Sequence, residues 1–182
     1  MKDFIIGGRL PTFTPDEQAL LKGSSDFIGL NHYTSRYVKS VATPGIDWNS
    51  DSRTAKSPTD VNGTVIGPKG ESGWLYVYPQ GLRGILNWID QRYSSPGTKQ
   101  TVIVFENGAS VPNETKMAIG DAVKDTFRVN FYKSYIQNMI EAVTTDGVNV
   151  MGYFAWSLMD NFEWTDGYSV RFGMTYVDYK NN

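Results

Sequence analysis

The carboxylate of Glu106 is the strongest single candidate for chemistry in the sequence. It follows the apolar run 102–105 and precedes Asn107 and Gly108. A strand of that kind would carry the carboxylate to the mouth of a sheet, where burying a charge needs a compensating interaction. One explanation is a glutamate bonded to the amides of its own loop. The other is a catalytic carboxylate that acts as nucleophile or general base.

A second candidate region lies between residues 153 and 172, where aromatic rings alternate with polar side chains. Glu163, for example, lies between two aromatic residues, and further carboxylates and amides are interleaved. Rings stack on the apolar face of a pyranose, and carboxylates accept hydrogen bonds from its hydroxyls. A structural core would also be rich in rings, but the interleaved carboxylates favour a sugar site. The seven rings in these 20 residues are Tyr153, Phe154, Trp156, Phe162, Trp164, Tyr168 and Phe172.

Composition excludes several other classes of chemistry. The 182-residue chain has no cysteine and one histidine, His32, which excludes the usual zinc sets, disulfide frameworks and cysteine nucleophiles. We therefore expect no metal and no cofactor. Lys+Arg is 17 against Asp+Glu 19, a net charge of -2, so we expect no nucleic acid partner. The sequence contains no run of 18 apolar residues, so we expect no membrane partner either.

Three helices and three strands are predicted to position these residues. One helix begins after a Thr14 cap and ends before Gly23, and apolar spacings of three and four predict two more. The second opens at Pro79 and closes at Pro96, and the third covers 125–145. Short apolar runs bounded by turn residues predict strands at 26–31, 102–105 and 148–155.

Strands that are apolar throughout and separated by helices indicate an α/β protein with a parallel sheet covered by helices. Ligands of such sheets gather at the carboxyl ends of the strands. Each predicted strand ends in polar or aromatic residues, so three segments converge on one site. Segment 39–73, rich in Pro, Gly, Ser, Asp and Thr, is predicted to be a long surface loop. The converging segments are 31–33, 106–108 and 156–164.

Five motifs are spread over nearly the whole chain outside that loop. They are DFIGLNHYTS (26–35), GWLYVYP (73–79), VFENG (104–108), GYFAWSLMDNFEW (152–164) and RFG (171–173). In sequence and in order they resemble the C-terminal part of family 1 glycoside hydrolases, eukaryotic and especially fungal β-glucosidases. The resemblance implies a TIM (β/α)8 barrel, of which this chain carries strands six to eight as one partial domain, 1–182.

The resemblance also implies a role for each matching site residue. Glu106 matches the catalytic nucleophile, and Tyr33 matches the tyrosine whose hydroxyl orients it. The remaining matches are substrate-binding residues. Asn31 lies beside the nucleophile, Trp74 lines the leaving-group subsite, Trp156 forms the floor under the glucosyl ring, Glu163 binds O4 and O6, Trp164 binds sugar hydroxyls, and Phe172 walls the glycone pocket.

The chain departs from the family pattern in three respects. His32 replaces the usual tyrosine, and Phe105 replaces a small polar residue before the nucleophile. The family's Asn-Glu-Pro motif, which carries the general acid/base, has no match here except Asn113-Glu114-Thr115. Retaining hydrolysis needs two carboxylates roughly 5 to 5.5 Å apart, and this chain is expected to supply only the first.

Two functions are therefore compared. In the first, the chain is part of a retaining β-glucosidase that acts on β-glucosides or cello-oligosaccharides, with the rest of the barrel as its partner. In the second, it is an inactive carbohydrate-binding or structural fragment, because three parallel strands leave two unpaired edges. A phosphorylated-sugar hydrolase is disfavoured, because a phosphate would be repelled by Glu163.

Overall fold

Helices form where the apolar spacing predicts them, in a computed structural model that describes residues 11–42 and 52–181. Predicted helices α1, α2 and α4 are confirmed, with ends within about three residues of those expected, and the one-turn helix α3 is an addition. Single 3-10 turns occur at residues 114–116 and 164–166. In chain order the helices are α1 (Pro15–Leu21), α2 (Gln80–Tyr93), α3 (Ile119–Ala122) and α4 (Thr126–Thr144).

Side-chain caps fix the starts of two helices. The Glu17 N–H donates to the Thr14 hydroxyl at 3.3 Å, and the Glu17 carboxylate accepts from the Thr14 N–H at 2.7 Å. This reciprocal pair is the capping box that the sequence predicts for α1. Asp125 caps α4 by accepting from the Arg128 N–H at 2.8 Å. Gly147 follows α4 with a φ of 74°, in the left-handed region that favours glycine.

The strands form one parallel and one antiparallel sheet. The parallel sheet has the order β1-β4-β5, so the predicted parallel pairing is confirmed. Strand β5 is shorter than expected, because the Val148 N–H bonds back to the Ala142 carbonyl at the end of α4. In chain order the strands are β1 (Ile28–Asn31), β2 (Tyr37–Ser40), β3 (Thr54–Ser57), β4 (Val102–Glu106) and β5 (Val150–Tyr153).

Only one face of the parallel sheet is covered by helices in the described residues. Val102 and Val104 of β4 are fully buried against apolar residues of α2 and α4. The opposite face carries aromatic rings that are open to solvent, with Phe105 43% exposed and Phe154 59% exposed. The expectation of a sheet covered by helices therefore holds for one face. The other face lacks a covering layer, as the inner face of an incomplete barrel would.

The segment 39–73 is not a plain surface loop. Strands β2 and β3 pair antiparallel, with Tyr37 opposite Ser57 and Ser40 opposite Thr54. At its other end, the Gly70 N–H bonds to the Leu75 carbonyl, and Ser72 is buried at 3% exposure. Residues 43–51 lie outside the described part of the chain.

The described residues belong to two units. The first comprises 11–26, 36–42 and 52–66, with helix α1 and the β2–β3 hairpin. The second comprises 27–35 and 67–181, with the parallel sheet, helices α2 to α4 and every predicted site residue. One partial domain spanning 1–182 stays a prediction, and the candidate site belongs to the second unit.

We expect the 182-residue chain alone to self-associate through the exposed ring face and the two unpaired sheet edges. Burying exposed rings is favourable, and unpaired strand edges are templates for pairing. Sedimentation velocity should show dimers or larger species at micromolar concentration. Phe154→Lys should shift the distribution toward monomer. Trp88→Lys, at a residue of α2 with a similar 52% exposure, should leave it unchanged. A wild-type chain that sediments as a single monomer would contradict this expectation.

Candidate active site

The side chain of Asn107 connects the carboxyl ends of all three parallel strands. Its Nδ2 donates to the His32 carbonyl after β1 at 2.7 Å, and its Oδ1 accepts from the Tyr153 hydroxyl of β5 at 2.7 Å. Its own carbonyl accepts from the Trp156 N–H at 2.8 Å. The residue follows β4 directly and is fully buried. Sequence reasoning gave Asn107 no role, although its place beside Glu106 in an Asn-Gly pair was the available signal.

Gly108 lies at a point where two backbone segments nearly touch. A Cβ atom at this position would lie 1.7 Å from the Trp156 carbonyl oxygen, which is far inside any real contact distance. The same oxygen accepts a hydrogen bond from the Tyr132 hydroxyl of α4 at 3.1 Å. Only glycine therefore fits here, and the close approach brings the end of β5 against the residues that follow Glu106.

Tyr33 donates its hydroxyl hydrogen bond to Glu106. The distance from the Tyr33 hydroxyl to Glu106 Oε2 is 2.5 Å, which is typical of a bond to a charged acceptor. Burial raises the pKa of Tyr33, and the hydrogen bond to Glu106 raises it further. Tyr33 is therefore a neutral donor at all ordinary pH values. Its bond fixes one oxygen of Glu106, which leaves the second oxygen for other partners.

Glu163 is the second carboxylate near this point. The Trp156 Nε1 lies 3.4 Å from Glu163 Oε2, which is a long hydrogen bond that links the ring to the carboxylate. Partial burial raises the pKa of Glu163, and the charges of Asp166 and Glu106 raise it further, against a lowering by the Trp156 bond. The two glutamates thus lie close enough for their charges to interact.

Aromatic rings surround the Tyr33 side of the site. The Tyr33 ring packs edge-on against Trp74 at a centroid distance of 5.7 Å and against Phe172 at 6.0 Å. Trp74 and Phe172 stack nearly parallel at 6.2 Å. Phe172 is buried at 2% exposure, whereas Trp74 is 45% exposed. Trp74 is therefore the more exposed of the two rings, and Phe172 packs against it from the protein interior.

The structure brings most of the predicted site residues together. Tyr33, Glu106, Trp156 and Glu163 are connected by hydrogen bonds or by charge, and Trp74 and Phe172 pack on Tyr33. Asn31 is an exposed residue that lies opposite Glu106 in the register of β1 and β4. Trp164 is 79% exposed and follows Glu163 directly. Both present free surface at the carboxyl edge of the sheet.

His32 is a half-buried residue between Asn31 and Tyr33, and its ring atom Nδ1 is buried. The backbone N–H of His32 donates to the Glu106 carbonyl at 2.9 Å. The centroid of its ring lies 6.1 Å from the centroid of the Tyr135 ring. The ring atom Nδ1 has no hydrogen-bond partner among the described residues. Burial lowers the pKa of His32 to about 4. The imidazole is therefore neutral near pH 7.

Neither a metal cluster nor a membrane span is found in the part of the chain that the structure describes. Within residues 11–42 and 52–181, no three His, Asp or Glu side chains are grouped so that they could hold a metal ion. No helix over the same residues is long and apolar enough to cross a membrane.

Comparison with known proteins identifies the family of this chain. The family model described as glycosyl hydrolase family 1 matches residues 1–182. The chain belongs to glycosyl hydrolase family 1. Among curated family members, it is 43% identical over 180 residues to β-glucosidase 24 of Oryza sativa subsp. japonica. That match covers 97% of this chain and 34% of the rice protein, so the chain spans about a third of the curated relatives it matches.

Solved family 1 structures share the fold of this chain. β-Glucosidase 2 from the fungus Trichoderma reesei, in complex with Tris, is 47% identical with a TM-score of 0.88, over 99% of this chain and 38% of that chain. A mutant rice β-glucosidase in a covalent complex with Glc is 41% identical with a TM-score of 0.89, over 98% of this chain and 37% of that chain. These relatives are TIM-barrel β-glucosidases, so the predicted family is confirmed, and the fold of this chain is consistent with a fragment of such a barrel.

We expect the His32 imidazole to titrate at about pH 4. Because His32 is the only histidine, its ring signals in an NMR titration are unambiguous. The urea-unfolded chain should titrate near pH 6.5, the ordinary value. Between these two values the unfolded chain binds the proton and the folded chain does not, so the free energy of unfolding decreases as the pH is lowered. The expected loss is about 2 kcal/mol from pH 7 to pH 5.

The variant His32→Gln isolates this effect from the titration of carboxylates. It should retain more of its free energy of unfolding at pH 5 than the wild-type chain does. A folded-state pKa near 6.5 for His32 would show that the ring is accessible to water and would refute its burial.

Proposed function

We propose that this chain supplies the nucleophile and the glycone pocket of a retaining β-glucosidase, as barrel strands six to eight of a longer family 1 fold. The observation that carries the proposal is the hydrogen bond from Tyr33 to Glu106 at the carboxyl end of β4, with Glu163 close enough to interact by charge. The substrates are β-glucosides or cello-oligosaccharides. The site pairs a fixed carboxylate with ring faces and a second carboxylate, which suits a pyranose.

Glu106 acts as the nucleophile. The bond from Tyr33 orients one oxygen, and the other attacks the anomeric carbon as the bond from that carbon to the leaving oxygen breaks. The leaving oxygen takes a proton from a general acid on the remaining barrel. Water then attacks the glucosyl ester, gives its proton to the same residue, now a base, and releases glucose and free Glu106. The covalent complex with Glc in the rice relative supports a step of this kind.

The proton donor is expected outside this chain. Asn113-Glu114 is the only Asn-Glu pair in the sequence, and Glu114 is buried at 4% exposure. Arg128 donates to both of its oxygens, at 2.9 and 2.6 Å. With both oxygens bonded to the guanidinium, Glu114 has no free oxygen to protonate a leaving group. This observation favours the second candidate function for the chain alone, an inactive carbohydrate-binding or structural fragment.

The glycone pocket is assigned to the residues around Glu163. Glu163 accepts hydrogen bonds from O4 and O6, Trp164 binds neighbouring hydroxyls, and Trp156 lies under the sugar ring. The Trp74 side chain, which is 45% exposed, lines the leaving-group side, with Phe172 stacked against it. Asn31, exposed beside Glu106, binds a hydroxyl near the anomeric carbon.

The rest of the barrel is the partner that completes this site. The exposed ring face of the sheet supports this assignment, as does an apolar groove beside β5 with a volume of about 320 Å³. The groove lies at the sheet edge opposite β1, where a further strand and helix would pack. Its lining includes Met139, Val143, Val150, Met151 and Tyr153.

The function is tested in a chimera in which this chain replaces the matching segment of the Trichoderma reesei relative. A folded chimera should hydrolyse an aryl β-glucoside, whereas the 182-residue chain alone should not. General acid catalysis contributes roughly 10²- to 10⁴-fold, which the isolated chain lacks. If the chain alone hydrolysed cellobiose, Glu163 or Asp166 would have to be the acid. A folded chimera without turnover would contradict the proposed function.

In the chimera, Glu106→Gly should abolish hydrolysis, because no carboxylate is left to attack the anomeric carbon. Azide or formate should restore turnover of an activated aryl glucoside by taking the place of the missing carboxylate. The control Tyr33→Phe should lose activity only in part and should not respond to azide. Peptide mapping after reaction with a 2-deoxy-2-fluoro glucoside should find the label on Glu106, and a label on another carboxylate would refute the assignment.

Glu163→Gln should weaken transition-state binding of glucosides by about 1.5 to 3 kcal/mol, because the amide keeps the shape but loses the charge-assisted hydrogen bonds. Steady-state kcat/KM for an aryl β-glucoside measures the effect. Asp166→Asn, at an exposed carboxylate close to Glu163, is the matched control and should change kcat/KM little. A decrease of less than about threefold for Glu163→Gln would contradict the proposed contact.

A further inference from the structure

The guanidinium of Arg128 uses every hydrogen-bond donor it has. Its Nε donates to the Ala109 carbonyl at 3.0 Å, and its Nη1 donates to Glu114 at 2.9 Å and to Asp125 at 2.5 Å. Its Nη2 donates to Glu114 at 2.6 Å and to the Arg171 carbonyl at 2.7 Å. An arginine carries five N–H donors, and all five are paired here. The side chain is only 5% exposed.

Two of these bonds reach the segments that carry the candidate carboxylates. Ala109 lies three residues after Glu106, in the loop that leaves β4. Arg171 lies at the far end of the loop that contains Glu163 and directly precedes Phe172. One buried ion on α4 therefore connects the loop after the proposed nucleophile to the loop of the proposed sugar-binding residue.

Hydrogen bonds join the two ends of the loop that contains Glu163, so a contact at Arg171 also constrains the position of the rest of the loop. The Ser157 N–H donates to the Phe172 carbonyl at 3.0 Å, and the Met174 N–H donates to the Ser157 carbonyl at 2.8 Å. Asp160 accepts from the side chain of Arg171 and from the Gly173 N–H. These bonds join the two arms of the loop on either side of Glu163.

Stability alone is a weak reason for such a buried ion. Taking charges out of water is costly, and apolar residues of similar volume are often as stable as a buried ion pair. What an arginine provides and an apolar residue does not is fixed direction, because its donors form a rigid planar fork. The five bonds of Arg128 specify where three separate segments lie relative to one another.

We infer that Arg128 is a positioning residue that sets the location of Glu163 relative to Glu106, and so sets the selectivity of the site for the sugar hydroxyls that Glu163 binds. The inference rests on the proposed function. Arg128 lies behind the site, on α4, and acts through Ala109 and Arg171 rather than by contact with the substrate.

The test compares two substrates in the chimera, an aryl β-glucoside and the corresponding 6-deoxy-β-glucoside. The readout is the ratio of their kcat/KM values, which reports the contribution of the 6-hydroxyl. This ratio is independent of the fraction of active enzyme, so a variant that only folds poorly leaves it unchanged. The reference variant is Glu163→Gln, which removes the charge of the proposed contact itself.

Arg128→Lys should lower the ratio by about fivefold or more, in the same direction as Glu163→Gln, because lysine keeps the charge but loses the fork and misplaces the loop. Glu114→Gln provides a second variant that disturbs the same fork with little change in volume. Arg83→Lys is the matched control. Arg83 also bonds two carboxylates, Asp146 and Glu141, but it joins α2 to the end of α4 and touches neither loop.

Each outcome decides the inference. An unchanged ratio in Arg128→Lys and Glu114→Gln, with a lowered ratio in Glu163→Gln, would overturn the role of Arg128 and leave the proposed function standing. An equal decrease in Arg83→Lys would also overturn it, because the effect would then be a general loosening of the fold. An unchanged ratio in Glu163→Gln would instead refute the proposed contact of Glu163, and the inference would fall with it.

Discussion

The buried amide of Asn107 is the interaction on which the site depends. One side chain satisfies the carbonyl after β1 and the hydroxyl of Tyr153 on β5, while its backbone holds the Trp156 N–H. Parallel strands place their carboxyl ends at one edge, and the ladder between β1 and β4 ends at the pair Asn31 and Glu106. The Asn107 amide continues the connection beyond the ladder. Its loss would leave two partly buried groups without this partner, the His32 carbonyl and the Tyr153 hydroxyl, at a cost of about 1 to 3 kcal/mol each.

Among the described residues, the two carboxylates of the site accept hydrogen bonds from uncharged donors. Glu106 receives a neutral donor, Tyr33, and Glu163 receives the Trp156 N–H, whereas the buried arginines bond to Glu114, Asp125 and Asp160 further back. Among the described residues, the buried arginines therefore bond to carboxylates that hold the segments behind the site together.

The sequence was informative wherever structure follows from local pattern. Apolar spacing located α2 and α4, and short apolar runs located the parallel strands, because burial of one face dictates both patterns. The β2–β3 hairpin was missed because its strands, YVKS and TAKS, are short and mix polar with apolar residues without alternation. The fork of Arg128 was invisible for another reason. Arg128 bonds to Glu114, which is 14 positions away in the sequence, and to Arg171, which is 43 positions away. Such contacts exist only after folding.

The contact between Gly108 and the Trp156 carbonyl limits how this site could change through mutation. With 1.7 Å between a notional Cβ and that oxygen, every substitution at 108 would push the end of β5 away from β4, whatever the new side chain. The rings and carboxylates around the site are each open to gradual replacement, because side chains can be trimmed or enlarged. The distance between the backbone at Gly108 and the backbone at Trp156 cannot be changed in small steps in this way, because any side chain at 108 adds a Cβ atom. New binding preferences would therefore arise from changes in the side chains that line the edge of the sheet. The backbone geometry beneath them can be disrupted by mutation but cannot be adjusted gradually.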